Sequence, residues 1–404
     1  IKHNSRFALN SAQKYFDKIK EKYFMKKIGI GLVGCGVISD IYFQNIAKSD
    51  VMEVIACADL IQDKAKLQAE KYNISKSCTV EEILKDDNIE LVLNLTNPGS
   101  HADVMIAALN AGKHVYSEKP LAVELEDGKR ILDVANKKGL KVGCAPDTFL
   151  GGRLQTIRKI LDDGWIGRPV AATAFMACHG HEIWHPGPEF FYKTGAGPLF
   201  DMGPYYITAL VTLLGSVNRV AGYAKISFPQ RTITSEPLKG EIIDVEVPTH
   251  VAGTLEFDSG LIANVMTSFD IWDSHLPNLE IYGSEGTLSI VDEDPLGGPN
   301  IFGGDVLLRH KDQSDWNGYP DAIPRNPATE WNSIPVIYEY NSNSRGVGLE
   351  DMCNSIIENR NHRASGDIAY HVLEILHGFY ISSNEGKYYK VESKCERPEL
   401  FELD

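Results

Sequence analysis

Four stretches of this 404-residue chain combine chemically capable side chains with spacings that could bring them together. Gly34-x-Gly36-x-x-Ser39 joins an apolar run, 28–33, to a segment whose apolar residues recur at helical spacing, 37–48. In that setting Gly34 permits a tight turn and Gly36 lets a pyrophosphate approach the backbone. The amides around Val37 and Ile38, at the start of the helix, then face its negative charge. Ser39 stands where a third glycine would pack helix on strand more closely. Asp59 lies 23 residues after Gly36, at the end of the second strand. Its carboxylate can accept hydrogen bonds from both hydroxyls of a ribose, and it repels a 2′-phosphate. Leu60-Ile-Gln-Asp63 holds no arginine for such a phosphate, so NAD is expected over NADP, with NADP possible. The plainer reading of Asp59 is a cap on the following helix. Glu118-Lys119-Pro120 lies just beyond another strand, at the carboxyl edge where open α/β sheets bind ligands.

A third stretch, His181-Glu182-Ile-Trp-His185, matches H-E-x-x-H. Zinc chemistry on that motif needs both imidazoles on one face of a helix. Gly180 precedes it and Pro186-Gly187-Pro188 follows, which opposes a sustained helix. No metal site is expected. With His179, the residues His181, Glu182, Trp184 and His185 read as a polar, aromatic loop able to line a sugar or polyol site. The fourth stretch runs from Asp201 to Tyr205.

The elements that must position these residues fall into two patterns. From 28 to 144, short apolar runs (54–58, 91–95, 114–117, 140–144) alternate with helical segments (63–72, 101–111, 124–138). That pattern predicts a parallel sheet covered on both faces. Thr79-Val-Glu-Glu82 is a capping box for a short helix. After about Pro146 the pattern changes. A helix over 154–163 precedes a strand over 169–178, and a helix over 204–214 precedes hairpins at 251–269 and 279–291. Residues 293–333 read as irregular surface, and two helices, 349–359 and 367–383, close the chain. The expected fold is α/β: a dinucleotide-binding Rossmann domain (25–147) plus an α+β domain (148–404) with a mainly antiparallel, open-faced sheet. Residues 1–24 carry Lys2, Arg6, Lys14, Lys18, Lys20 and Lys22 against Asp17 and Glu21. They read as a peripheral extension with the spacing of a short amphipathic helix.

Lys and Arg number 40 against 55 Asp and Glu, a formal charge of −15. That balance argues against a nucleic acid or anionic membrane as partner, because polyanions need a concentrated basic footprint. Seven cysteines with no C-x-x-C spacing argue against a disulfide framework or thiolate zinc site, and for a cytoplasmic setting.

Taken together, the motifs resemble the glucose–fructose oxidoreductase, inositol dehydrogenase and rhizopine-catabolism (Gfo/Idh/MocA) family. The carriers are Gly34–Ser39, Thr96-Asn97-Pro98 with His101, the 111–120 stretch ending in Glu118-Lys119-Pro120, the 163–169 stretch, and Gly195 to Tyr205. The resemblance implies a nicotinamide cofactor on the first domain, touching Thr96, Asn97, Pro98, His101, Glu118 and Lys119 besides the glycine turn. It also implies a second domain that supplies substrate contacts and forms a homo-oligomer, a dimer or tetramer. Lys119 matches the family lysine that lies near the nicotinamide and the reacting carbon. Where many members read Asp-x-Gly-x-His-x-x-Asp, this chain has Tyr205 in the histidine position and Thr208 in place of the second aspartate. Tyr205 is similar to the tyrosine of the glucose–fructose oxidoreductase and dihydrodiol dehydrogenase branches, where it is the proposed proton carrier. Thr208 departs from an inositol-type grip.

The implied reaction moves a hydride between a nicotinamide and a secondary hydroxyl or ketone of a sugar, sugar derivative or cyclic polyol. A base must take the hydroxyl proton. A free phenol titrates at about 10, and a neighbouring ammonium favours its phenolate. Lys119, Tyr205 and Asp201 are the catalytic candidates, with Asp201 orienting Lys119; His181 and His185 remain alternative bases. Two other readings stay open. The cofactor could remain bound and be recycled between two sugars, or the chain could be a dinucleotide-binding sensor without turnover.

Overall fold

The computed structural model describes residues 27–311 and 331–403. The N-terminal extension lies outside them. Five strands, β1 (Ile28–Val33), β2 (Met52–Ala58), β3 (Leu91–Asn94), β4 (His114–Ser117) and β5 (Val142–Cys144), pair in parallel in the order β2-β1-β3-β4-β5. All six residues of β1 are buried, which is why it reads as an unbroken apolar run rather than an alternation. The helices between them are α1 (Ser39–Ile46), α2 (Gln62–Tyr72), α3 (Val80–Lys85), α4 (His101–Asn110) and α5 (Leu125–Lys138). Thr79 and Glu82 form the expected capping box at the start of α3. Gly139, at φ 66°, ends α5 in the left-handed conformation that glycine adopts without strain.

Strand order reverses between β1 and β3, so the loops after these strands, carrying Gly34 and Thr96, flank a crevice at the carboxyl edge.

The second half opens with α6 (Gly152–Asp162) and β6 (Pro169–Ala177). Two helices that nearly abut follow: α7 (Gly197–Asp201) and α8 (Gly203–Leu214). Strands β7 (Val217–Lys225), β8 (Gln230–Thr232), β9 (Ile242–Asp244), β10 (His250–Phe257), β11 (Ile262–Ser268), β12 (Leu279–Gly283), β13 (Gly286–Ile290), β14 (Val306–His310), β15 (Asn332–Ile334) and β16 (Tyr389–Lys390) complete the set. Nine of them form one sheet in the order β15-β14-β13-β12-β6-β11-β10-β7-β16. Every pair in it is antiparallel except β6 with β11. One face packs on α8 and on α10 (Gly366–Glu385), and the other presents Tyr223, Ile262 and their neighbours to solvent.

Two expectations need correction here. The 293–333 segment is not wholly irregular: β14 and β15 extend the sheet at its edge, where short strands tolerate Gly- and Asp-rich surroundings. The helix expected from Pro204 is preceded by a separate one, α7, with a break at Met202 beside Asp201.

The final helices return to the first sheet. Cys144 N–H donates to the Ala364 carbonyl at 3.1 Å, and α9 (Val347–Glu358) packs against β5.

Candidate functional site

Gly34 has φ 100°, and a Cβ there would lie 2.5 Å from the Leu95 carbonyl oxygen. Only glycine fits where the loop after β1 crosses the end of β3. Gly36 differs: a Cβ built on it meets nothing within 4 Å. The space beside it is open for a ligand to approach the backbone. The N–H groups of Gly36, Val37 and Ile38 have no hydrogen-bond partner among the described residues. Ser39 Oγ turns back to the Gly36 carbonyl at 2.6 Å, which holds the turn closed. Asp59 accepts from Cys35 N–H and from Ile61 N–H, each at 2.8 Å. It therefore ties down the glycine turn and, as the plainer reading expects, caps the approach to α2. An open glycine cradle, free amides and a fixed carboxylate at the end of β2 suit a dinucleotide.

On the other side of the crevice, Asn94 accepts from the Thr96 N–H and hydroxyl at 3.2 and 2.7 Å. Asn97 is exposed and Pro98 half-buried, at the rim. His101 is 1 % exposed, with Nδ1 2.7 Å from the Pro120 carbonyl and Nε2 2.9 Å from that of Thr96. It pins the two strand-end loops together and acts on any ligand through them. Both oxygens of Glu118 are also taken, by Tyr42 Oη at 2.9 Å and by the Lys119 N–H at 3.0 Å.

Lys119 points away from this framework toward the second domain. Its Nζ donates to the Asp201 carbonyl at 2.6 Å and to Asp201 Oδ1 at 2.8 Å. The same ammonium stands 5.2 Å from the centre of the Tyr205 ring, which lies one turn further on, in α8. Burial works against the charge on Lys119, but Asp201 and Tyr205 outweigh it and hold the ammonium above its ordinary range. Burial likewise opposes the Asp201 carboxylate, and Lys119 with His181 pulls it well below the usual range. Both groups stay ionised across the physiological range. Their side chains are 15 % and 20 % exposed, so the pair touches solvent. Behind Lys119, a cavity of about 10 Å³ lined by Pro120, Pro204 and Thr208 has room for about one water.

His181 is buried, with Nε2 3.3 Å from Asp201 Oδ2; its Nδ1 has no partner among the described residues. Its sequence neighbour Glu182 turns the other way. Arg231 Nη1 donates to Glu182 Oε1 at 2.7 Å, and the Tyr192 hydroxyl takes Oε2. The H-E-x-x-H match thus resolves into a turn, with the His185 N–H bonded to the His181 carbonyl at 2.9 Å, and its glutamate committed to a buried ion pair. His185 is half-buried and Trp184 exposed. Their rings stand edge-on, 5.3 Å apart.

One residue escaped the sequence reading. Arg345 lies in the loop before α9. Burial opposes its charge, yet Tyr205, Glu118 and Tyr42 hold its pKa above the ordinary range. Its backbone is clamped by Asn45 Nδ2, 2.9 Å from the Arg345 carbonyl. Asp147, accepting from the Gly346 and Gly348 N–H groups at 2.9 and 3.0 Å, clamps the following residues. No local motif marks it; only the return of the chain to the first sheet brings it to Tyr205.

Comparisons with known proteins agree with this architecture. Residues 28–145 match a family model described as "Oxidoreductase family, NAD-binding Rossmann fold". Residues 154–289 match one described as "GFO/IDH/MocA C-terminal domain". The chain is 25% identical to a 1,5-anhydro-D-fructose reductase of Ensifer adhaerens, over 66% of this chain and 78% of that protein. It is 32% identical to an inositol 2-dehydrogenase of Salmonella typhimurium, over 35% of this chain and 43% of that protein. A levoglucosan dehydrogenase solved with NADH and levoglucosan superposes with a TM-score of 0.74 at 20% identity, covering 91% of this chain and all of that one. An NAD-binding oxidoreductase from Klebsiella pneumoniae gives 0.76 at 20% identity, over 91% and 100%. The two family matches together span most of the chain: the chain belongs to the Gfo/Idh/MocA family of NAD(P)-binding oxidoreductases.

Proposed function

We propose that this chain oxidises a secondary hydroxyl of a sugar, sugar derivative or cyclic polyol, or reduces the corresponding ketone, with NAD as preferred cofactor. The observation that carries the reading is the Lys119 ammonium. It is held 2.8 Å from the Asp201 carboxylate and 5.2 Å from the Tyr205 ring, at the carboxyl edge of the nucleotide-binding sheet.

The free amides at Gly36, Val37 and Ile38 hold the pyrophosphate, Asp59 takes the ribose hydroxyls, and the 96–101 loop with Glu118 borders the nicotinamide end. When bound, the nicotinamide supplies the hydride acceptor or donor. The remaining chemistry belongs to the chain. Lys119 donates to the substrate oxygen as negative charge develops on it, Tyr205 takes the hydroxyl proton, and Asp201 fixes the ammonium between them. Arg345 lends a second positive charge on the far side of Tyr205. His181 supports Asp201 from behind, and Trp184 and His185 border the substrate.

This reading divides the chain into a nucleotide-binding unit (25–147) and a substrate unit (148–404). Homo-oligomerisation uses the solvent-facing side of the nine-stranded sheet, where Tyr223 and Ile262 are 81% and 53% exposed. Among the described residues no helix is long and apolar enough to cross a membrane, and seven free thiols fit a reducing cytoplasm.

The test is reduction of NAD and NADP, followed by nicotinamide absorbance, against a panel of hexoses, deoxy and anhydro sugars, glycosides and inositols. Turnover on at least one member with NAD preferred supports the reading. Tight cofactor binding without hydride transfer to any member contradicts it and favours a sensor.

A further inference from the structure

The loops that leave the parallel pair β6/β11 at its carboxyl end carry more exposed aromatic surface than the reacting site uses. The pairing sets Ala177 beside Ser268, so the 178–187 and 269–278 loops emerge side by side, joined by Ile271 N–H to the Cys178 carbonyl at 3.2 Å. Trp272 stacks one face on the His179 ring, with centroids 3.3 Å apart and planes 12° from parallel, yet it remains 76% exposed. Its other face is therefore open to water. Trp184 is 52% exposed and stands edge-on to His181 at 5.3 Å. Phe190, 55% exposed, continues the surface beyond His185.

This patch does not lie on the solvent-facing side of the sheet, where a second copy would dock. It lies at the strand ends, and it connects to the chemistry: His181 contacts both Trp184 and the Asp201 carboxylate that fixes Lys119. Trp184 is one imidazole ring away from that carboxylate. Small-molecule sites are built in this way, from aromatic walls beside a few convergent polar groups. An indole anchored on one face and open on the other presents a flat apolar surface at low entropic cost. A pyranose offers the complement, a C–H face rimmed by hydroxyls.

We propose that Trp272 and Trp184 form a subsite for a second sugar ring, so that the substrate is a glycoside or disaccharide rather than a free monosaccharide. The inference rests on the sugar-oxidising reading above and names its substrate class. Neutral imidazole suits the backing of such a surface, and burial holds His179 below its ordinary pKa.

The experiment compares glucose with cellobiose, maltose and methyl β-glucoside in two measurements on the full chain. One is kcat/KM with NAD in wild type, Trp184→Ala, Trp272→Ala and Trp272→Phe. The other is quenching of intrinsic tryptophan fluorescence by each sugar in Lys119→Met. The expected result is a preference of at least about tenfold for a disaccharide over glucose, equivalent to about 1.4 kcal/mol. That ratio collapses toward one in Trp272→Ala and is largely kept in Trp272→Phe. A wild-type ratio near one, or a ratio unchanged in both alanine variants, overturns the subsite even if sugars are oxidised. Saturable quenching by a disaccharide and not by glucose, without hydride transfer in wild type, supports the subsite and overturns the oxidative reading instead. Absence of both signals overturns both.

Discussion

His181 and Glu182 are adjacent in the chain and belong to two ionic clusters of opposite character. Glu182 faces Arg231, which also binds Asp270 and the Phe269 carbonyl. Both oxygens of each carboxylate are taken, those of Glu182 by Arg231 and Tyr192, those of Asp270 by Arg231 and Thr249. The three charged side chains are at most 8 % exposed. His181 faces Asp201 and Lys119, where exposure rises to 20 %. There the ammonium is bonded only to Asp201 among the described residues. The first cluster has its acceptors filled and holds two loops to the sheet. The second keeps an ammonium beside a phenol, in reach of solvent. Ionic groups mark a site through the valence they leave unused, and the H-E-x-x-H letters span both clusters.

The contrast predicts that substitutions in one cluster remove turnover and in the other remove stability. Tyr205→Phe should keep its fold and lose on the order of 10³-fold in kcat, the scale of a lost proton-transfer group; steady-state rates on a turned-over sugar check this, and rates within threefold of wild type would pass the base role to His181 or His185. Arg231→Met strands two buried carboxylates and should cost about 3–5 kcal/mol of stability, read by denaturant unfolding. Activity per folded molecule should survive. Asp201→Asn retains a hydrogen-bond acceptor for Lys119 but loses the charge. A fall in kcat of roughly 10–10²-fold is expected, smaller than that of an outright deletion.

A pH effect, with no change in the reacting groups, concerns Asp147, which clamps the residues after Arg345. Burial raises its folded pKa to about 6, against the pull of the Gly348 and Gly346 N–H groups. A carboxyl raised on folding contributes its full stability below the unfolded value and loses it as pH climbs through the folded one. Wild-type stability should therefore decline between about pH 4 and 6, by at most about 3 kcal/mol, because a tenfold difference in proton affinity is worth about 1.4 kcal/mol. Asp147→Asn should flatten that decline, as seen by comparing unfolding midpoints on either side of that window, at roughly pH 3.5 and 7.

Legibility followed locality. The glycine turn and the Thr79–Glu82 box are set by neighbours within a few residues, and each stands where the spacing predicts. Lys119 was legible because the strand-end position and its flanking residues lie in one short stretch. Arg345 was not, since 140 residues separate it from Tyr205 and its role arises only when the closing helices return to β5. The parallel β6/β11 pair was hidden for the same reason: strand pairing across 91 residues, as between Ala171 and Ile262, leaves no periodic trace. β14 and β15 were masked by composition, because short edge strands need little apolar surface of their own. His101 shows the converse. Its place after the Thr96–Pro98 loop was legible, but not that both ring nitrogens would be turned to backbone carbonyls.

Lys119→Met tests the central claim most directly, with cofactor affinity by calorimetry and hydride transfer by single-turnover absorbance measured on the same preparation. NAD affinity within a few-fold of wild type, an unchanged unfolding midpoint and transfer slowed by on the order of 10³-fold are the predicted result. Transfer at the wild-type rate in a folded, NAD-loaded variant would contradict the account and place the reacting oxygen elsewhere in the crevice.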